Sequence, residues 1–233
     1  MVMHMERLHN GFQLHIPQGA FPLSTDSMVL GHCVKLPRDA RVLDLGAGCG
    51  TLGLLLCASR HDCHVTGIEL DETAHSAALE NIRVNQLSGR MESICSDLRQ
   101  HREFIPAGSF TTCVSNPPYF SGGPASTDTP LARRDDCCTA QDLFTAAAWA
   151  LQWGGDFFLV HKPEAIGQLC AVAAQHTFAL KNLRLVRHRP TGAVSTLILH
   201  FKKGGKPGTV WEELCLFNED GSPTQAYRTI YHI

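Results

Sequence analysis

Residues 116–119 read Asn-Pro-Pro-Tyr, directly after Thr111-Thr112-Cys113-Val114-Ser115, a β-branched, apolar run that predicts a buried strand. Two successive prolines bring no N–H donors, so they end such a strand abruptly and leave an amide and an aromatic ring on a rigid corner. The Asn116 side-chain oxygen and the Pro117 carbonyl can accept both hydrogens of a planar amino group. That pair of bonds would draw the nitrogen toward tetrahedral geometry and free its lone pair for attack. Proline rigidity at Pro117 and Pro118 would keep the acceptors in place through a reaction. Tyr119 offers a face on which a planar molecule can stack.

A second group lies upstream. VLDLGAGCG (42–50) sets Gly46, Gly48 and Gly50 behind an apolar strand that contains Asp44, in G-x-G-x-G spacing and not the G-x-G-x-x-G of dinucleotide binders. Such a turn lets a ligand approach the backbone closely. Glu69 ends the following strand, placed to accept hydrogen bonds from both hydroxyls of a ribose. Asp97 follows the third, where it can accept from an adenine amino group. Each acid alone would more often be a helix cap or a solvated turn residue. Acidic groups at three successive carboxyl ends of a parallel sheet line one crevice, the expected ligand site of that architecture.

The elements that must position these groups alternate regularly. Strands RVLDL (41–45), HVTGIEL (64–70), MESIC (91–95), FTTCVS (110–115) and GDFFLVH (155–161) are interleaved with helical patterns at TLGLLLCAS, ETAHSAALENIRVNQ, AQDLFTAAAWALQW and PEAIGQLCAVAAQH. LRLVRHRP and STLILHF (183–190 and 195–201) follow one another as an antiparallel pair. The order predicts an α/β fold: a doubly wound, mostly parallel seven-stranded sheet, Rossmann-like, with helices on both faces. Residues 1–40 form a small N-terminal cap, 41–203 the core, and 204–233 a peripheral C-terminal hairpin turning at Asp220-Gly221. The long segment FSGGPASTDTPLARRDD, directly after the Pro-Pro corner, is the length of a functional or disordered loop.

Bulk properties exclude less. With 44% hydrophobic residues, 18% charged and a formal net charge of −2, the 233-residue chain has an ordinary globular composition that points to no nucleic-acid partner by itself. The C-terminal part is locally basic, with 8 Lys/Arg against 4 Asp/Glu in residues 176–233. Ten cysteines in a chain whose N-terminus lacks a signal-peptide core predict reduced thiols in a cytoplasmic protein, and no apolar run is long enough for a membrane. The cluster His61-Asp62-Cys63-His64 matches no standard zinc spacing, so no metal is expected.

Together, Asp44 with its Gly-rich turn, Glu69, Asp97 and Asn116-Pro117-Pro118-Tyr119 resemble the class I S-adenosylmethionine-dependent methyltransferases of the NPPY type. The resemblance implies that Asp44, Gly46, Ala47, Gly48 and Gly50 hold the methionine part of the cofactor, Glu69 and Leu70 the ribose, and Asp97 and Leu98 the adenine. An acidic rim also suits the ammonium of a sulfonium amino acid better than it suits a phosphate. STDSMVLG ahead of the first strand, LDLGAGCGTLGLLL, LARRD, VHKPE and the tail GKPG…LFNEDG are similar to the bacterial family that methylates adenine N6 in a valine tRNA, beside the anticodon. That family implies a lid near the cofactor at Phe21, Thr25 and Asp26, unless Thr25 or Asp26 simply caps a helix. It implies tRNA phosphate contacts from Arg133 and Arg134, and a basic surface of Arg184, Arg187, Arg189, Lys202, Lys203 and Lys206 along the RNA. The partner expected is tRNA; the oligomeric state stays open, with a monomer favoured. Three alternatives remain: N5-methylation of a protein glutamine, methylation of guanine N2 in ribosomal RNA, and a non-catalytic RNA-binding module on the same fold.

Overall fold

The computed structural model describes residues 3–8, 10–118 and 138–233. Tyr119, Arg133 and Arg134, and the long segment between residues 120 and 135, lie outside the described residues.

The chain opens with a hairpin, β1 (Met3–Arg7) and β2 (Gln13–Pro17), and then helix α1 (Thr25–Cys33). The alternating core follows: β3 (Arg41–Leu45), α2 (Thr51–Ser59), β4 (His64–Glu69), α3 (Glu72–Val84), β5 (Met91–Cys95), a 3-10 turn at Leu98–Glu103, and β6 (Phe110–Ser115). After the undescribed segment come α4 (Ala140–Ala150), β7 (Leu151–His161), α5 (Ile166–Gln175), β8 (Phe178–Arg187), β9 (Val194–Lys203), β10 (Val210–Cys215) and α6 (Gln225–Tyr231). One sheet carries the order β10-β8-β9-β7-β6-β3-β4-β5, and only β9 runs against the other seven strands. The chain winds outward from β3 through β4 to β5, then returns to β6 on the other side. The strand order therefore reverses between β3 and β6, and a crevice opens there above the carboxyl ends.

Each face of the sheet is covered because strands such as β3 are apolar on both sides, which is the pattern of a parallel sheet between helices. On one face, Leu54, Leu55 and Leu56 of α2 and Val29 and Leu30 of α1 pack over Val42, Val65 and Val114. On the other, Phe144 of α4 meets Phe157, Phe178 and Phe201 edge-on, with ring centroids 5.2, 5.6 and 5.2 Å apart. Among the described residues no helix is long and apolar enough to cross a membrane, and the described cysteines are free thiols.

The tail departs from the expected hairpin, and the sheet has eight strands where seven were expected. WEELC lies in β10, which adds in parallel to β8 at the sheet edge, with Trp211 level with Leu183 and Cys215 level with Arg187. AYRTIYH falls in a helix, capped at its start by Thr224, because its two tyrosines are spaced for a helical face: Tyr227 and Tyr231 stack 4.3 Å apart. Only the turn survives from the hairpin, with Asn218 N–H bonded to the Ser222 carbonyl at 2.8 Å around Asp220-Gly221. Helix α4 also ends sooner than its pattern suggests, since Leu151 already begins β7.

The N-terminal hairpin is tied down by two asparagines four residues apart, Asn81 on α3 and Asn85 at its C-cap. Asn81, fully buried, accepts from His15 N–H at 2.7 Å and donates to the carbonyls of His15 (3.0 Å) and Cys49 (2.9 Å). Asn85 does the same for the N–H and C=O of Gln13, both at 2.7 Å. The side-chain amides thus take the place of a second neighbouring strand on the edge of β2 away from β1, and Asn81 links the hairpin to the glycine turn through Cys49. Replacing Asn81 by Ala strands these backbone groups, and a loss of about 2–3 kcal/mol in urea unfolding is expected. An unchanged midpoint would contradict this role.

Candidate active site

The site begins where β3 stops. Gly46, Gly48 and Gly50 have φ of +75°, +55° and +81°, so the turn repeats a left-handed residue at every second position. A Cβ on Gly48 would meet nothing within 4 Å, so glycine serves the backbone conformation there and leaves the turn open to the crevice. At Gly50 packing matters as well, for a Cβ would stand 2.7 Å from Met91 Cε. The turn is gripped from β4: Gly46 and Ala47 N–H both donate to the Ile68 carbonyl, at 3.0 and 2.9 Å. Glu69 Oε2 accepts from Gly48 N–H at 2.7 Å while its Oε1 accepts from Asp71 N–H at 2.8 Å. One carboxylate thus holds two loops and still offers free lone pairs to the cavity it lines.

Asp44 is the anomaly of the site. It is only 1% exposed, and neither carboxylate oxygen has a hydrogen-bond partner. Burial, and secondarily the nearby charge of Glu69, pushes its carboxyl up to about 8; the Gly53 N–H pulls the other way but falls short of hydrogen-bond geometry. An unpartnered buried carboxyl facing a cavity is a vacant acceptor for a cationic ligand. Asp97 is in the opposite condition. It caps the 3-10 turn by accepting from Arg99 N–H at 2.9 Å, and the Arg99 guanidinium beside it holds its carboxyl below the usual range.

Asn116 continues β6 at the same level. Its Nδ2 donates to Ser27 Oγ at 2.9 Å, and Ser115 Oγ donates to the Leu45 carbonyl at 2.6 Å, joining the ends of β6 and β3. Asp44, Gly46, Ala47, Gly48, Glu69, Leu70, Asp97, Leu98, Asn116 and Pro118 all border one cavity of about 330 Å³, roofed by Gln18 to Pro22 of the N-terminal segment, whereas Gly50 faces Met91 and Ala78 instead. That volume lies within the range of small-molecule sites. Pro117 is buried beside it.

Several expected residues lie elsewhere. Phe21 borders the cavity, but Thr25 and Asp26 do not: Thr25 Oγ1 meets Tyr231 Oη at 3.3 Å, and Asp26 accepts from Thr196 Oγ1 at 2.9 Å. The helix cap is Ser24, and the α1 residue that reaches the cavity is Ser27. The continuous basic surface is corrected too. Because β9 runs antiparallel, Lys202 and Lys203 at its end stand at the amino ends of the parallel strands, about four strand residues or roughly 13 Å from the crevice. Lys202 pairs with Asp156 at 2.9 Å, and Lys203 Nζ sits on the carbonyls of Ala148 and Leu151. Arg184 is held by Glu212, and Arg187, on β8 at the carboxyl edge of the sheet, is bonded to the Gly192 carbonyl with Glu213 at 3.7 Å. Arg189 follows Arg187 on that edge and is exposed. In the His61-Asp62-Cys63-His64 cluster, Asp62 is taken by Arg60 and Cys63 is buried.

Residues 23–173 match the family described as methyltransferase small domain. The chain belongs to that family. A protein from Shewanella halifaxensis named tRNA1(Val) (adenine(37)-N6)-methyltransferase is 33% identical over 166 residues, which span 70% of this chain and 65% of that protein. A protein of the same name from Tolumonas auensis is 32% identical over 214 residues, covering 89% of this chain and 88% of its own. Among solved structures, one described as a predicted O-methyltransferase from Agrobacterium tumefaciens superposes with a TM-score of 0.76 at 20% identity, over 89% of this chain and 96% of that one. A T. thermophilus 16S rRNA N2 methyltransferase, solved with AdoMet and guanosine, superposes with a TM-score of 0.61 at 23% identity, over 87% and 50%. These likenesses establish a class I methyltransferase fold.

The residues present fit S-adenosylmethionine. The vacant carboxyl of Asp44 and the open glycine turn suit an amino-acid ammonium, and Glu69 retains acceptor capacity for ribose hydroxyls. The pH behaviour of Asp44 provides a test. An unfolded Asp titrates near 3.8 and this one near 8, so between those values the folded state holds an extra proton and stability falls as pH rises. Asp44→Asn should therefore make the ligand-free protein more stable than wild type at pH 8, with the gain vanishing toward pH 4, while cofactor affinity drops. A gain independent of pH would contradict the assignment of that burial.

Proposed function

We propose that the protein transfers a methyl group from S-adenosylmethionine to the exocyclic N6 of an adenine in tRNA. The observation that carries this reading is the placement of Asn116 and Pro118 on the wall of the same cavity that Asp44 and Glu69 border. The names of the Shewanella halifaxensis and Tolumonas auensis relatives support the choice of acceptor.

In this reading Asp44, Gly46, Ala47, Gly48 and Gly50 receive the methionine part, Glu69 and Leu70 the ribose, and Asp97 and Leu98 the adenine edge. The bound cofactor supplies an electrophilic methyl on a sulfonium centre. Asn116 Oδ1 and the Pro117 carbonyl each accept one hydrogen of the target amine, which localises its lone pair and aims it along the cavity. Tyr119 stacks on the base. The new N–C bond forms as the sulfonium bond breaks, and the surplus amine proton passes to water. A target in an anticodon loop is cheaper to splay out of its stack than one in a duplex. Arg187 at the end of β8 and Arg189 just beyond it, at the carboxyl edge of the sheet, remain as proposed phosphate contacts; the same role is proposed for Arg133 and Arg134.

Incubation with labelled S-adenosylmethionine and total tRNA from a strain lacking the gene, followed by digestion to nucleosides, should place label in N6-methyladenosine. Label in N2-methylguanosine, or in a protein fraction with none in tRNA, would overturn the proposed acceptor. Asn116→Ala should lower kcat by about 10²- to 10³-fold, as loss of a transition-state hydrogen bond does, with little change in cofactor Kd. Equal losses in both would remove Asn116 from the chemistry.

A further inference from the structure

A carboxamide is nearly symmetric in shape, yet its two ends have opposite chemistry. If Asn116 is to accept a hydrogen from an amine, its oxygen must face the cavity; rotated by half a turn, it would present N–H to N–H. Nothing in its own backbone selects between these arrangements. The selection must come from a group fixed on the other side.

That group is Ser27. Asn116 Nδ2 donates to Ser27 Oγ at 2.9 Å, across 89 residues of sequence. Ser27 is 4% exposed and is the residue of α1 that borders the cavity. Its hydroxyl lies 3.2 Å from Ser24 Oγ, an oxygen that can accept its proton and so leave its lone pairs for the Asn116 amide. The helix turn that carries Ser27 is itself anchored three ways. Ser27 N–H is capped by Ser24 Oγ at 3.2 Å, Thr25 is tied to Tyr231 of α6, and Asp26 is tied to Thr196 of β9. The three residues before Ser27 thus spend their side chains on fixing the turn, while Ser27 itself borders the cavity.

We infer that Ser27 is a positioning residue: its buried hydroxyl fixes the orientation of the Asn116 amide so that Oδ1, not Nδ2, meets the target amine. This rests on the reading of Asn116 as an amine acceptor. It also gives α1 a part distinct from that of the Gln18–Pro22 segment, which roofs the cavity.

The test compares Ser27→Ala and Ser27→Thr in the wild-type and Asn116→Ala backgrounds, with kcat measured at saturating S-adenosylmethionine and unmodified tRNA and cofactor Kd by calorimetry. Ser27→Ala should lower kcat on the order of 10- to 100-fold while Kd stays nearly constant, the cost of a misplaced reacting group. Ser27→Thr, which keeps the hydroxyl, should restore most of the loss. In the Asn116→Ala background Ser27→Ala should add no further loss, because the group it positions is gone. The inference is overturned if Ser27→Ala leaves kcat unchanged, lowers it equally in both backgrounds, or lowers cofactor affinity in step with it. If Asn116→Ala alone keeps wild-type turnover, the acceptor reading fails first and this inference with it; if Asn116→Ala is crippled and Ser27→Ala is not, only this inference fails.

Discussion

Val42, Leu43 and Asp44 of β3 lie level with Thr112, Cys113 and Val114 of β6, and Ser115 locks the far end of that register through its bond to the Leu45 carbonyl. The side-by-side exit of these two strands is the constraint on which the site depends. A parallel pair at the point where strand order reverses leaves no room for a covering helix above its carboxyl ends, so a crevice must form there. The glycine turn then forms one wall and the Asn116-Pro117-Pro118 corner the other. A slip of one residue between β3 and β6 would turn Asp44 out of the crevice and move Asn116 away from it.

The chemistry of the walls is complementary because their polar groups are satisfied to different degrees. Glu69 spends part of its accepting capacity on Gly48 and Asp71 amides, which makes the turn rigid before any ligand arrives. Asp97 is held by Arg99. Of these three acids, Asp44 is the one buried without a partner, a cost to the free fold that a cationic ligand would remove. Stability set aside in this way at a ligand site is the usual form of the compromise between folding and function.

Much of this was legible in the sequence, for local reasons. Asp44, Gly46, Gly48, Gly50, Glu69 and Asn116 are placed by strand ends and turn geometry, which spacing encodes directly. Asn81, Asn85 and Ser27 were not legible: each looks like an ordinary helix residue, and its role exists only after a distant segment packs against it. The same holds for β10 and α6, where short apolar runs fit strand and helix equally: the edge of β8 took up β10, while α6 packs against α1 and β10. The basic C-terminal surface failed for a topological reason. Counting charges along LRLVRHRP and STLILHFKK cannot reveal that β9 is reversed, which sends Lys202 and Lys203 to the opposite end of the strands from Arg187.

The central claim is that one cavity holds the methyl donor with its reactive centre toward Asn116. A crystal structure of the protein with S-adenosylhomocysteine tests it most directly. The account predicts the amino group of the ligand against Asp44 and the Gly46–Gly50 turn, its ribose hydroxyls on Glu69, and its sulfur facing Asn116 Oδ1. A ligand bound with the sulfur turned away from Asn116, or bound elsewhere with Asp44 still unpartnered, would contradict it.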